Sequence, residues 1–253
     1  MTKKQKILNT IFLLLLIGTI SYLSVSLYKE KDYKVELITL EGESHLAKEE
    51  YMQFAELLNR SFFENLTLQI IKDRVEKHPY IEKVNVRYDG SGKVSVKVKE
   101  KNIESMLSYN DNQFLLTDRL QVLPLMPRTK KVDYPIISNP VIKDSVKVLT
   151  SLKKNIDVLT ASKILSGIKL LNPELHGGLS SIDMRKGGDA VLYFNFIDYP
   201  VVLGKGNEIR KIVYFNNFWT YLKGKEINSY MDYIDLRYNG HIFFGINQSA
   251  AEE

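Results

Sequence analysis

The chain has 253 residues, a length that allows one or two domains with genuine buried cores. With 44% hydrophobic and 26% charged residues, its composition is that of a globular protein and excludes a disordered or collagen-like chain. The formal charge of +5 is spread along the sequence, so no nucleic-acid partner is indicated. Because cysteine is absent, disulfides and cysteine nucleophiles are excluded.

The first predicted element is a transmembrane helix over residues 7–28. These residues carry no charge, and a helix of this length would span about 33 Å, close to the roughly 30 Å of a hydrocarbon core. Three lysines precede the segment within a short tail, 1–6, whereas mixed charges follow it. The positive-inside rule then predicts a cytoplasmic N-terminus and an extracytoplasmic, periplasmic main part. A cleaved signal peptide ending near Ser24 or Ser26 is the alternative.

A strand, two helices and a hairpin are predicted next, within residues 29–103. The strand covers 35–40, and apolar residues at helical spacing follow from Ala47 and from Leu68. Two strands with strict apolar alternation then flank the turn at 89–92, which predicts a hairpin with one buried face. The other face of this hairpin carries five basic residues: Lys83, Arg87, Lys93, Lys97 and Lys99. Such a face fits either a solvated surface or a patch for anionic lipid or cell-wall polymer.

Longer β segments alternate with helices in residues 104–247, before a C-terminal tail at 248–253. Predicted strands are 105–109, 113–116, 182–185, 190–197 and 201–203, and predicted helical faces lie at 146–152, 161–171 and 209–222. Asn239-Gly240 between apolar runs predicts a terminal hairpin of 233–238 and 241–246. The predicted fold class is α+β: one N-terminal transmembrane helix, a β-α-α-β-β domain, and a second mixed α/β domain with a mostly antiparallel sheet.

Motifs for catalysis or cofactor binding are not found. The four histidines lie far apart without metal-ligand spacing and are predicted to be surface or turn residues. Gly204-Lys205-Gly206 lacks the remainder of a phosphate-binding loop, so it is interpreted as a turn. We therefore predict no catalytic residue, metal, cofactor or small-molecule substrate, and a protein that is not an enzyme.

Several short motifs resemble the FtsQ/DivIB family of bacterial cell-division proteins. They include the His-Pro segment at 78–84, the strand at 94–100, Leu116-Thr117-Asp118 with Val122-Leu123, and the strand ending in Gly at 201–204. The closest agreement is Ile234-Asp235-Leu236-Arg237-Tyr238, which matches the family's closing strand residue for residue.

This resemblance implies a polypeptide-transport-associated (POTRA) domain at 29–103 and a β-rich partner-binding domain at 104–247. It implies a non-catalytic divisome scaffold in the inner membrane at the septum, which binds FtsB/DivIC-like and FtsL-like proteins for septal peptidoglycan synthesis. In the family the partner adds along the last strand, and by position Arg237, Tyr238 and Gly245 contribute contacts. The alternative function is a POTRA-type substrate-handling module of a secretion or outer-membrane assembly machinery.

The residues of the last predicted strand indicate partner binding independently of the family resemblance. If Ile242 and Phe244 face the core, Phe243 points to solvent beside a terminal edge, which proteins avoid unless something covers it. Strand addition by a partner would provide the cover; the alternative is that another layer buries Phe243 as well. The predicted partner-binding residues are Arg237, Tyr238, Ile242, Phe243, Phe244, Gly245 and Ile246.

Overall fold

The structure, a computed structural model, describes residues 3–27, 34–143 and 145–247; the predicted tail at 248–253 lies outside these ranges. The helices are α1 (Lys3–Leu27), α2 (Lys48–Phe54), α3 (Leu68–Glu76), α4 (Ile156–Leu171), α5 (Pro173–Gly178) and α6 (Glu208–Leu222). The strands are β1 (Leu37–Glu41), β2 (Ile81–Tyr88), β3 (Lys93–Glu100), β4 (Ile103–Tyr109), β5 (Asn112–Thr117), β6 (Val122–Pro124), β7 (Ile136–Ser138), β8 (Leu179–Asp183), β9 (Ala190–Phe194), β10 (Val201–Gly204), β11 (Met231–Asp235) and β12 (Phe243–Ile246). This is an α+β fold.

The N-terminal helix corrects one prediction. Among the described residues, no helix combines the length and the apolar character needed to cross a membrane, so the predicted transmembrane helix over residues 7–28 is wrong. The side chains of residues 11–23 in α1 are exposed.

A three-stranded sheet and two helices follow in the predicted order of strand, helix, helix, strand and strand. The sheet order is β1-β3-β2, with β1 parallel and β2 antiparallel to β3. Thr67 begins α3 by accepting a hydrogen bond from the Ile70 N–H at 3.2 Å. Alternate residues of the hairpin, among them Val84, Val94 and Val96, are buried, because period-2 spacing places them on the face that the helices cover.

The second sheet has nine strands in the order β12-β11-β10-β9-β8-β7-β4-β5-β6. Five of its eight strand pairs are antiparallel and three are parallel, so the sheet is mixed and mostly antiparallel, as predicted. Helices α4 and α6 pack together and bury an apolar face in its main core, with Ile164, Ile168, Phe215 and Trp219 among the buried residues.

Two local predictions in this part are wrong. Residues 146–152 form no helix: Leu149 has a φ of +66°, and backbone hydrogen bonds join Val122 to residues 149 and 150 instead. The terminal hairpin forms, but β12 pairs with β11 through Asp235 opposite Phe243. Its connection therefore covers residues 236–242, and Asn239-Gly240 is only part of it.

The two sheets are joined by a shared core. Met106, Leu115 and Leu123 of the nine-stranded sheet are buried in the same cluster as Tyr51 and Ile71 of the three-stranded unit. The hydroxyl of Tyr80, a fully buried residue, donates to the Pro124 carbonyl at 2.8 Å.

A buried polar cluster lies at the same junction. Glu100 accepts hydrogen bonds from Ser44 and Tyr51 and contacts His45 Nδ1 at 2.5 Å, while His45 Nε2 meets the Tyr134 hydroxyl at 2.8 Å. Burial opposes ionisation of Glu100, but the hydrogen bonds, from His45 above all, hold its pKa well below the ordinary value. His45 and His78 both lie in bends between elements but are buried, so for these two the prediction of a surface position is wrong.

Candidate partner-binding edge

The last strand forms one outer edge of the nine-stranded sheet. β12 pairs on one side with β11, with Ile234 opposite Phe244 and Met231 opposite Ile246, and it has no strand on its other side within the described part of the chain. Its outward backbone groups are therefore available to pair with another extended chain.

Large apolar side chains surround this edge and remain exposed to solvent. The exposed fractions are 57% for Tyr238, 50% for Phe243, 41% for Phe244, 43% for Ile246 and 44% for Tyr233. We call these five residues the β12 patch. An apolar cluster of this kind beside a free edge is what soluble folds avoid, and it marks an interaction surface.

The patch is held in place by packing from both neighbouring elements. The ring of Phe244 lies 6.0 Å from Phe218 of α6, and the ring of Phe243 meets Tyr238 edge-on at 5.2 Å. Ile242, which precedes the strand, is partly buried against the main core. Phe243 is thus exposed as expected, but Phe244 is only partly covered, so both faces of β12 present aromatic surface.

Arg237 is tied to the protein by an ion pair at the start of the connection. Its guanidinium donates from Nη2 to Asp235 Oδ2 at 2.7 Å and from Nε to the same carboxylate at 3.0 Å, and Nη1 reaches Asp189 Oδ2 at 3.3 Å. Hydrogen bonding to Arg237 lowers the pKa of the buried Asp235 carboxyl, and the same pair raises the pKa of Arg237. The pair holds Arg237, the residue before Tyr238, against the end of β11.

Two glycines make this arrangement possible by leaving room for side chains. A Cβ at Gly245 would lie 2.5 Å from Tyr233 Cε1, so only glycine lets the Tyr233 ring lie across β12. A Cβ at Gly204, which has a φ of +71°, would lie 2.6 Å from Arg237 Cγ. Gly206 also has a positive φ, of +73°, and a bend follows β10 at 205–206, so Gly204-Lys205-Gly206 forms the predicted turn.

The structure places all seven predicted site residues within 237–246, either on β12 or in the connection before it. Sequence reasoning missed Tyr233, Phe218 and Asp189. Tyr233 could have been found, because it alternates with the buried Ile234 on β11. Phe218 and Asp189 come from distant elements that only folding brings to this edge.

Away from this edge, the described titratable side chains show neither a metal-binding cluster nor a nucleophile–base pair. No group of three or more metal-ligating side chains occurs in the part of the chain described here. Ser44, His45 and Glu100 are neighbours. Ser44 Oγ donates to Glu100 at 2.7 Å and lies 3.2 Å from His45 Nδ1, but that nitrogen already contacts the Glu100 carboxylate. Since the other ring nitrogen is bonded to Tyr134, this is not the geometry of a nucleophile and its base.

Two comparisons relate this chain to known proteins. Residues 33–101 match the family model described as POTRA domain, FtsQ-type. The cell division protein FtsQ of Geotalea daltonii is 23% identical over 214 residues, which cover 83% of this chain and 74% of that protein. The resemblance to the FtsQ/DivIB family is confirmed. Both similarities support a role in cell division, and we refer to residues 33–101 as the POTRA domain.

Proposed function

We propose that this chain is a non-catalytic scaffold of the division machinery, which binds FtsB/DivIC-like and FtsL-like proteins by strand addition to β12. The observation that carries the proposal is the β12 patch: five exposed apolar side chains around a strand with one free edge. A partner strand would pair with the free backbone groups and cover the aromatic rings. The proposed place of action is the division site.

Some residues at this edge would contact the partner, and others hold those residues in position. Tyr238, Phe243, Phe244 and Ile246 supply apolar area, and aromatic side chains of this kind dominate binding energy at interfaces. Arg237 holds the connection through Asp235 and keeps part of its guanidinium exposed for a partner carboxylate. Gly245 provides the space for Tyr233.

The FtsQ-type description of the matched POTRA domain favours this proposal over the secretion or outer-membrane assembly alternative. No observation on the described residues favours the alternative specifically.

Binding of the full chain to its FtsB/DivIC-like partner, measured by calorimetry, tests the proposal. Tyr238→Ala and Phe243→Glu should each weaken binding by about 2 kcal/mol, roughly thirtyfold in Kd. Their melting temperatures should stay near that of the unchanged chain, because both side chains are at least half exposed.

The matched control is Lys97→Glu, on the basic face of the POTRA hairpin and exposed, which should leave the affinity unchanged. Normal binding by the two patch variants would refute the proposal. A fall of several degrees in their melting temperature would show that these residues act in folding instead.

A further inference from the structure

The connection between β11 and β12 contains the single Asn-Gly pair of the sequence, Asn239-Gly240. The His241 N–H donates to the Tyr238 carbonyl at 3.2 Å, which makes Asn239 and Gly240 the central residues of a four-residue turn. Gly240 has a φ of +76°, a conformation that glycine adopts without steric cost. Both central residues are exposed, so the pair lies at a solvent-facing turn beside Tyr238 of the β12 patch.

The side chain of Asn239 is not held by the fold. Among the described residues, neither its amide group nor the Gly240 N–H has a hydrogen-bond partner. The side chain of Asn155, by contrast, accepts from the Val158 N–H at 2.9 Å and donates to the Val141 carbonyl at 2.8 Å. The Asn239 amide can therefore rotate toward the backbone that follows it, whereas the Asn155 amide is fixed.

An exposed and unrestrained asparagine before glycine can lose its side-chain nitrogen. The Gly240 backbone nitrogen attacks Asn239 Cγ and forms an N–Cγ bond, while the Cγ–Nδ2 bond breaks and ammonia leaves with the proton of the attacking amide. The product is a succinimide ring, which water opens at either carbonyl to give aspartate or isoaspartate. Water is consumed and ammonia is released, with no oxidant or reductant. Glycine favours the attack because it has no Cβ to obstruct it.

A related pair in the POTRA hairpin is protected by hydrogen bonds. Asp89 precedes Gly90, and its carboxylate accepts from the Ser91 N–H at 2.8 Å and from the Lys93 N–H at 3.1 Å. The bond from Ser91 above all holds the pKa of Asp89 below its ordinary value. An ionised carboxylate held in this way is a poor electrophile. The amide of Asn239 has no charge and no such bonds, so it lacks both forms of protection.

We propose that Asn239 is a site of spontaneous deamidation, at which the neighbouring backbone and water convert the amide into a carboxylate. The reaction adds a negative charge to the connection, two residues after Arg237 and next to Tyr238. Its isoaspartate product also inserts a methylene group into the main chain that leads into β12. The modification requires no enzyme or cofactor, so it accumulates with the age of the molecule.

A consequence for partner binding follows, and this consequence rests on the proposed function. About half of the Arg237 side chain is exposed, where it would meet a carboxylate of the partner. A new negative charge at position 239 would repel that carboxylate. Deamidation should therefore weaken partner binding about threefold.

Peptide mass spectrometry of the full chain, after incubation at mildly alkaline pH, tests the site. Alkaline solution speeds the reaction because the attacking backbone amide must lose its proton. The peptide that contains Asn239 should gain the mass difference between an amide and a carboxyl group, about tenfold or more faster than the peptide that contains Asn155. Chromatography should resolve its aspartate and isoaspartate forms. An unchanged Asn239 peptide, or equal rates at the two asparagines, would overturn the proposal.

The matched variant is Asn239→Gln, which keeps the amide but lengthens the side chain by a methylene group. Ring closure is then much slower, so the mass change at position 239 should disappear. The melting temperature should stay that of the unchanged chain, because the residue is exposed. A mass change that persists in this variant would place the modification at another residue and overturn the proposal.

Calorimetry with the FtsB/DivIC-like partner separates this proposal from the proposed function. Fresh and aged chains are compared, with an aged Asn239→Gln chain as the control. We expect about threefold weaker binding by the aged chain and no change in the control. If the fresh chain does not bind, the proposed function is wrong, and the deamidation site still stands on its mass change. If the fully modified chain binds as tightly as the fresh one, the consequence for binding is wrong.

Discussion

The two outer edges of the nine-stranded sheet differ in how they end. At β6 the chain covers its own edge: the Val122 N–H donates to the Thr150 carbonyl at 2.9 Å and the Leu149 N–H returns to Val122 at 2.8 Å. Leu123 beside them is fully buried in the POTRA core. At β12 the described chain provides no such cover, and the apolar side chains stay exposed. One edge strand of this sheet is thus paired with another segment of the chain, whereas the other edge strand is left available for binding.

The largest effect is expected from truncating a side chain at the closed edge. Leu123→Ala should lower the free energy of unfolding by about 3 kcal/mol, because it leaves a cavity in a fully buried core. Phe243→Ala at the open edge removes more atoms but should cost less than about 1 kcal/mol, since half of that side chain is already exposed. Urea denaturation of both variants measures the contrast, and equal losses would show that β12 is as much a part of the core as β6.

Acid should weaken the closed end through His78. Burial lowers the pKa of His78 to about 4, and its Nδ1 accepts a hydrogen bond from the Tyr80 N–H at 3.2 Å. The unfolded chain, with a pKa of about 6.5, binds the proton more readily. His78 therefore contributes stability above pH 6.5 that is lost as the pH falls toward 4.

The free energy of unfolding should thus fall by about 2 kcal/mol between pH 6.5 and pH 5. His78→Asn keeps an acceptor without a titrating group, so thermal melts of this variant should show less than half of that slope. An unchanged slope would assign the pH dependence to other groups.

The smallest effect is expected at the ion pair behind the open edge. Arg237→Gln leaves the buried Asp235 carboxylate without its bidentate partner, and should lower the free energy of unfolding only slightly, because solvent screens the half-exposed guanidinium. Asp189→Asn removes only the outer contact at 3.3 Å and should have a smaller effect. If chemical denaturation ranks the two variants in the opposite order, Asp235 does not position the connection.

Sequence patterns predicted the elements whose side chains repeat with a clear period. The POTRA hairpin followed from the alternation of its valines, and α4 and α6 followed from apolar spacing, because local periodicity and burial agree there. Segment 146–152 has the same helical spacing, yet its backbone pairs with β6. A long-range contact overrode the local pattern.

Predictions at the site were limited by the same cause. The exposure of Phe243 could be inferred from strand alternation, but the pairing of Arg237 with Asp189 depends on a contact across 48 positions of sequence. The segment 7–28 was interpreted from its length, its lack of charge and its flanking lysines, and no described helix has the length and apolar character to support that interpretation.

Met106, Leu115 and Leu123 belong to the nine-stranded sheet but are buried in the core of the POTRA domain. A chain from which residues 33–101 are deleted would display these side chains to solvent. Cellular proteases and chaperones would then remove much of it before it could act. The phenotype of cells carrying such a deletion would therefore reflect loss of the whole protein. The separate contribution of the POTRA domain is better measured with single substitutions on its exposed face.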